Sequence, residues 1–148
     1  MEEQEKREKF ERLKFLLEET RFNFFADSDK GVCLIRFGDL QNADFDTVFV
    51  YLQGSEFDII VATLTLLDGE KGYRYPREVY EECLKFNKKV ALLKTQFDER
   101  YGDIDISYET WLATLPENLE MGIELLVSHG DAFAGELKKM LAGSKVGE

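Results

Sequence analysis

The sequence is poor in the residues that build reactive centres. It has one histidine, His129, and two cysteines, Cys33 and Cys83, among 148 residues. A tetrahedral metal site needs several such ligands at close spacing, and the cysteines do not form a C-x-x-C pair. We interpret both thiols as free and buried, with a disulfide between them as the alternative. We interpret His129 as a surface or half-buried side chain, so the sequence predicts no catalytic residue, no metal ligand and no cofactor.

Positive charge and long apolar runs are also scarce. Lysine and arginine total 19 against 30 acidic residues, which gives a net charge of −11. Such a surface repels phosphate backbones, and no basic stripe offsets it, so we expect neither nucleic acid nor a membrane as partner. No apolar run approaches the roughly 18 residues that cross a bilayer, and the charged start MEEQEKREKF is not typical of a signal peptide. A cytoplasmic location is therefore the expectation.

The residues that are abundant predict one folded domain over 1–148, with a frayed tail at about 143–148. Hydrophobic residues make up 44% of the chain and include 12 phenylalanines, enough for a core at this length. Hydrophobic periodicity changes several times along the chain. It predicts helices at 2–19, 76–86 and from the capping box at 114–117 to about 141, with strands at 21–27, 32–37, 47–53 and 57–67 and a hairpin within 89–108. The order α-β-β-β-β-α-β-β-α predicts an α+β fold, with helices packed on a mostly antiparallel sheet.

The hairpin within 89–108 has the clearest pattern. Apolar residues alternate with polar ones in both arms, which is typical of a sheet with one buried and one wet face. We expect the buried side chains to be Ala91, Leu93, Thr95, Phe97, Ile104, Ile106 and Tyr108. The stretch 98–102 supplies the turn, and Gly102 can take a positive φ. We interpret the acids Asp98, Glu99, Asp103, Asp105 and Glu109 as a solvated face.

The strands before this hairpin are apolar on both faces. In 47–53 and 57–67, aromatic and β-branched residues occupy alternate positions on either side. If the helices cover only one face, the other exposes an apolar patch of the kind that forms interfaces. The alternative is that the first helix covers the second face and makes a three-layer domain. The candidate interface residues are Phe49, Tyr51, Phe57, Ile59 and Val61.

The element order and several segments resemble the YbjN-like family, which is also described as bacterial sensory-transduction regulators. The C-terminal half carries the best match, from the helix over Tyr75–Phe86, with Asn87 at the strand entry, through LLKTQFDERYGDIDISYETWL to LPENLEMGIELLVSHGDAFAGELKKML. The segments LKFLLEETRFNFF, GVCLIRF and VFVYLQ resemble the family's opening helix and strands. The resemblance implies a fold similar to type III secretion chaperones, which are small acidic dimers that bind other proteins. It implies no catalytic activity.

These observations lead to the hypothesis of a non-enzymatic YbjN-like protein. It acts through protein–protein contacts, with another protein or with itself as a homodimer, in a chaperone-like or regulatory role. Two alternatives stay open. One is an enzyme or ligand-binding domain that gathers carboxylates with Tyr73, Arg74, Tyr75 or Arg77 in a pocket. The other is a purely structural dimer.

Overall fold

The structure, a computed structural model, describes residues 2–146. Within that range the chain forms three helices and six strands in the predicted order. They are α1 (Glu3–Glu18), β1 (Phe25–Asp27), β2 (Val32–Arg36), β3 (Thr47–Gln53), β4 (Ile59–Leu67), α2 (Arg77–Lys89), β5 (Leu93–Asp98), β6 (Asp103–Trp111) and α3 (Pro116–Val146). The predicted α+β fold and its element order are therefore confirmed.

The six strands form one antiparallel sheet in the spatial order β1-β2-β3-β4-β6-β5. The first four strands run as a meander because short connections join neighbours. The chain then leaves the sheet through α2 and returns as the β5–β6 hairpin. In this hairpin β6 pairs with β4 and β5 becomes an edge. The predicted turn is present, since the Gly102 N–H donates to the Asp98 carbonyl at 2.8 Å and Gly102 has a φ of 73°.

All three helices pack on the same face of this sheet, which we call the covered face. Glycines let α3 approach closely, because a Cβ at Gly122 would lie 2.2 Å from the Tyr108 ring. A Cβ at Gly130 would lie 3.0 Å from Ile106. The aromatic ring of Phe86 on α2 stacks on α3 at Phe133 with 4.5 Å between centroids. The fully buried side chains of this layer include Leu13, Leu16, Leu17, Ile35, Ile60, Leu64, Leu66, Ile104, Ile106, Leu119, Ile123 and Leu126.

Both cysteines are free, as predicted. Cys33 is fully buried on β2, and burial raises the pKa of its thiol to about 12, with Lys14 opposing the rise. Cys83 on α2 is half-buried, and burial also raises the pKa of its thiol. Both thiols are therefore protonated and weakly nucleophilic near neutral pH.

Two strand boundaries differ from the prediction. The strand expected at 21–27 is restricted to Phe25–Asp27. The strand predicted at 57–67 begins later than expected, at Ile59, so residues 54–58 separate it from Gln53 at the end of β3. Phe57 lies in this turn rather than in the strand and has a φ of 52°. A donation from the Leu112 N–H to the Asp58 carbonyl at 2.7 Å ties the turn to the end of β6, a contact that local sequence does not reveal.

The start of β5 also differs from the prediction. Helix α2 continues to Lys89, so Asn87 lies in the helix and not at the strand entry, and Ala91 lies in an exposed turn before β5. The side chain of Asn87 reaches the outer edge of the strand. Its Oδ1 accepts from the Thr95 N–H at 2.6 Å, and its Nδ2 donates to the Thr95 carbonyl at 3.0 Å. An amide side chain thus occupies the hydrogen-bonding groups that an additional strand would use at this position.

The loop between β2 and β3 is tied to α3 by one carboxylate. Asp131 accepts from the backbone N–H groups of Gln41, Asn42 and Ala43 at 3.1, 2.8 and 2.9 Å. Burial acts to raise the pKa of Asp131, but the three donors outweigh it and hold the pKa below its ordinary value.

Helix α3 is longer than predicted and extends past Leu141 to Val146. Its predicted frayed tail at 143–148 therefore begins inside the helix, and 147–148 lie outside the described residues.

Candidate interaction surface

The sheet face opposite the helices, which we call the open face, is built from rows of side chains that cross the strands. The register pairs alternate residues of each strand, so each row can be followed from edge to edge. The rows are Asp27–Val32–Tyr51–Val61–Glu109, Phe25–Leu34–Phe49–Thr63–Ser107–Lys94, Thr65–Asp105–Gln96 and Gln53–Ile59–Trp111. None of the helices in residues 2–146 lies on these rows. The structure therefore has one helical layer and one sheet layer, and the alternative of a three-layer domain is not adopted.

The rows change in character from one side of the sheet to the other. On the β1–β4 side they are mainly aromatic and β-branched, and we call this part the apolar region. It comprises Phe25, Val32, Leu34, Phe49, Tyr51 and Ile59, with Trp111 beside it on β6. Phe25 and Trp111 each expose 64% of their surface. On the β6–β5 side the rows carry acids, a lysine and a glutamine.

The predicted interface residues do not all lie in equivalent positions. Phe49, Tyr51 and Ile59 are half-buried on the open face. Val61 is on the same face, paired with Tyr51 and Glu109, but exposes only 2% of its surface. Phe57 lies in the β3–β4 turn, with the Lys6 ammonium 5.0 Å from its ring centroid. Three of the five predicted residues can therefore present apolar surface to a partner from the sheet itself.

Two exposed aromatic residues were missing from the prediction. Trp111 continues the outward alternation of Asp103, Asp105, Ser107 and Glu109, so extending the period by one step places it on the open face. Phe25 is in register with Leu34. Its outward position depends on where β1 begins, and the sequence predicted too long a strand there. The signal for Trp111 was present in the alternation, whereas the signal for Phe25 was not.

A groove of about 920 Å³ adjoins the apolar region at one end of the sheet. Phe49 and Tyr51 form one wall, and the first turns of α1, with Lys6 and Arg7, form another. Lys30 in the β1–β2 turn completes the rim. The groove therefore joins the aromatic side chains of the open face to a charged rim.

Asp105 departs from the solvated face that the hairpin acids were expected to form. It lies between Thr65 on β4 and Gln96 on β5, and its Oδ1 is buried without a hydrogen-bond partner among the described residues. Burial raises the pKa of Asp105 to about 6, the Asp103 and Asp98 carboxylates add to the rise, and the Thr65 hydroxyl opposes it. The expectation that Asp105 is fully solvated is therefore wrong, because cross-strand neighbours that are distant in sequence enclose it.

Of the comparisons with known proteins, only the one with solved structures finds a match, and it concerns the fold. No family model matches the chain, and no curated protein matches it in sequence. Among solved structures it matches the crystal structure of YbjN from E. coli, described as a candidate transcription regulator, with a TM-score of 0.65. The match covers 89% of this chain and 92% of that one. The chain has a YbjN-like fold. At 9% sequence identity, the match confirms the expected resemblance at the level of fold.

The YbjN-like fold brings together only part of the polar site that the enzyme alternative requires. Tyr73 and Tyr75 are 4.7 Å apart between centroids and border a cleft of about 420 Å³ with Asp44 and Asp68. The Tyr75 hydroxyl donates to the Gly102 carbonyl at 2.8 Å, and burial raises the pKa of Tyr75. Asp44 accepts from the Asp68 N–H at 2.7 Å. These groups therefore already hold loops together.

The two arginines of that alternative point elsewhere. Arg74 lies 3.8 Å from Glu99 in the β5–β6 turn, and Arg77 pairs with Glu81 at 2.9 Å on the surface of α2. The geometry does not assemble an arginine with the two tyrosines around one cleft.

His129 is exposed on α3 of the YbjN-like fold. In the part of the chain that the structure describes, no group of three or more His, Cys, Asp and Glu side chains is arranged to hold a metal ion. No helix between residues 2 and 146 combines the length and apolar content that a membrane crossing requires.

Proposed function

We propose that this chain is a non-enzymatic, YbjN-like protein-binding module that acts in a chaperone-like or regulatory role. The observation that carries the proposal is the open face, where two strongly exposed aromatic side chains, Phe25 and Trp111, flank the half-buried Phe49 and Tyr51. Aromatic side chains contribute a large share of binding free energy at protein interfaces. A sheet that leaves such a surface in water is typical of a molecule with a partner.

The size of the open face suits this role. Six strands spaced about 4.8 Å apart span roughly 24 Å, and a strand of about seven residues has a similar length, so the face covers on the order of 600 Å². Side-chain relief and the adjoining groove add to this area. A standard protein interface buries about 800 Å² on each partner, so the open face and its rim are large enough for a specific contact.

The charge of the chain supports proteins over other partners. With a net charge of −11, the molecule repels nucleic acid and anionic membranes. YbjN from E. coli is described as a candidate transcription regulator. On the present chain, a regulatory role would be exercised by binding another protein rather than by binding DNA.

A homodimer through the open face is the second form of the same proposal. Two sheets can pack face to face about 10 Å apart and share their apolar side chains. The net charge of −11 on each copy opposes this association, so apolar burial must drive it. High salt should then leave a dimer intact or strengthen it, because salt screens the repulsion.

The test is the double substitution Phe49→Glu/Tyr51→Glu, with Phe15→Glu as the matched control. Phe15 is 48% exposed on α1, in the helical layer. Proteins captured from the native host by the wild type and the control should be lost with the double variant. Any dimer seen by light scattering should become monomeric, while circular dichroism shows an intact fold.

The proposal is contradicted if all three proteins capture the same set and share one oligomeric state. If the wild type is strictly monomeric but still captures a protein through Phe49 and Tyr51, the homodimer is contradicted and the proposal of a protein-binding module is kept.

A further inference from the structure

The start of α1, residues 3–9, has little to hold it on the rest of the protein. Every residue in this segment is exposed except Lys6 and Lys9, which are half-buried. The anchored part of the helix begins at Phe10, whose buried side chain is followed by three fully buried leucines. The N-cap residue, Glu2, provides no side-chain hydrogen bond. A helix end of this kind frays unless other contacts hold it.

The two half-buried lysines supply such contacts, and both reach the β3–β4 turn. The Lys9 ammonium donates to the Glu56 carbonyl. The Lys6 ammonium lies 5.0 Å from the centroid of the Phe57 ring, which is a cation–π distance. Because Lys6 and Lys9 are three positions apart, they project from the same side of the helix. The segment is therefore attached to two adjacent residues of one turn.

The turn holds Phe57 in a backbone conformation that is uncommon for a bulky residue. Its φ of 52° lies in the left-handed region. The ring is outside the core that the described residues form and lines the groove instead. A strained residue persists where surrounding contacts fix it. Here Lys9 donates to Glu56 before it and Leu112 donates to Asp58 after it, so the turn offers α1 a fixed place of attachment.

The attached segment forms one wall of the groove that adjoins the open face. Phe10 and Leu52 line the same groove, and they are buried and half-buried. A movement of residues 3–9 away from the turn would bring these apolar side chains into contact with water. The charged residues that line the groove are balanced and favour neither a cationic nor an anionic ligand; they are Lys6, Arg7, Lys30, Glu3, Glu11 and Asp29.

We propose that residues 3–9 are a lid on the groove, and that Lys6 and Lys9 latch this lid to the β3–β4 turn. With the latch closed, Phe10 and Leu52 stay covered. With the latch open, the groove loses a wall and the apolar surface beside the open face becomes larger. The lid would move in the free protein, so it does not depend on the proposed function.

Amide hydrogen exchange tests the latch with the double substitution Lys6→Met/Lys9→Met. Methionine is unbranched and has a similar helix propensity, so the main loss is that of the two ammonium groups. The helical amides of residues 6–9 should exchange at least about fivefold faster, while those of residues 13–17 keep their protection. Without a latch the effect should have the opposite sign, because cations near a helix N-terminus oppose the macrodipole and their removal stabilises the first turns.

The matched control is Arg7→Met/Arg12→Met, which removes two cations from the same helix. Arg12 lies 5.5 Å from the ring centroid of Phe15, which is also on α1, and Arg7 lies on the groove rim. The amides of residues 6–9 should exchange in this control at the wild-type rate or more slowly. Nile red, a neutral dye that fluoresces on apolar surface, should become brighter with the lysine variant than with the control.

Faster exchange at residues 6–9 in the lysine variant alone, together with brighter Nile red, supports the latched lid. Unchanged or slower exchange in that variant overturns the latch, and so does faster exchange in both variants, since the charge change alone would then explain it. Faster exchange without added dye fluorescence overturns the lid, because no apolar surface is uncovered. Faster exchange that extends through residues 13–17 also overturns it, because α1 would then open as a whole.

Discussion

The covered and open faces of the sheet are made by the same strands, yet they differ in how completely their side chains are buried. On β4, which packs against α3, Ile60 and Leu64 face the helical layer and expose none of their surface to water. Ile59 and Thr63, one residue away on the same strand, are only half-buried. Apolar sequence on both sides of a strand therefore does not mean that both sides belong to the core. The number and placement of helices decide which side is covered.

The largest effect on stability should follow from removing α3, which packs on the covered face. A chain that ends at Ala113 lacks α3, whose side chains Leu119, Ile123 and Leu126 are fully buried against the sheet. Each such side chain contributes roughly 1.5–3 kcal/mol when buried, so several together exceed the stability of a typical domain. Thermal melts should show no cooperative transition. A chain ending at Gly143 is the control and should melt like the full protein; a cooperative melt of the shorter chain would contradict the prediction.

Two isoleucines on β4, Ile60 on the covered face and Ile59 on the open face, allow the packing of the two faces to be compared with the same substitution. Ile60→Ala should lower the free energy of unfolding by about 2–5 kcal/mol, because it leaves a cavity under the helices. Ile59→Ala should lower it by less than about 1 kcal/mol, because its side chain is partly in water already. Urea unfolding measures both. Equal losses would mean that the open face is as tightly packed as the covered one.

Asp105 should make stability depend on pH. The folded-state pKa is about 6 against an ordinary value of 3.8, so between these values the folded protein binds a proton more readily than the unfolded chain. The resulting stabilisation is present below about pH 4 and is lost as the pH rises through 6. At pH 7.5, Asp105→Asn should therefore raise the free energy of unfolding by about 1–2 kcal/mol.

At pH 4 the Asp105→Asn substitution should have little effect on stability. Chemical denaturation at the two pH values measures this difference. Asp29→Asn, in the exposed turn, is the control and should show no such pH dependence. An Asp105→Asn protein that is less stable at pH 7.5 than the wild type would show that the carboxylate has a partner.

The smallest effect is expected at the single histidine. His129 is exposed on α3, so His129→Ala should change the free energy of unfolding by less than about 0.5 kcal/mol. Elemental analysis of the purified protein should find no stoichiometric zinc. A tightly held metal that disappears on this substitution would reverse the non-enzymatic proposal.

The sequence correctly predicted those elements in which burial of one face requires a regular alternation of apolar and polar residues. The bounds of β3, Thr47–Gln53, match the prediction, and so do the burial of Ile104 and Ile106 and the turn that ends at Gly102. In each case one face of a strand is apolar enough to determine its register, because a slip by one residue would expose it. Local pattern was sufficient for these features.

The sequence did not predict features that depend on distant contacts. The length of the β3–β4 turn depends on a hydrogen bond from Leu112, and the burial of Asp105 depends on the pairing of β6 with β4 and β5. Which face the helices cover is also a long-range property. The candidate surface was identified from the strand pattern, but its two most exposed aromatic members were missed for different reasons. The position of Phe25 depends on where β1 begins, whereas Trp111 could have been found by extending the alternation of β6 by one step.

The side chain of Asn87 gives the sheet a defined end. Because its amide occupies both hydrogen-bonding groups of Thr95 on β5, another chain cannot add a strand there without first displacing it. At this position the β5 edge therefore does not offer free hydrogen-bonding groups to a second copy of the protein in a crowded cell. The opposite edge of the sheet, β1, is only three residues long and so offers few hydrogen-bonding groups to an added strand.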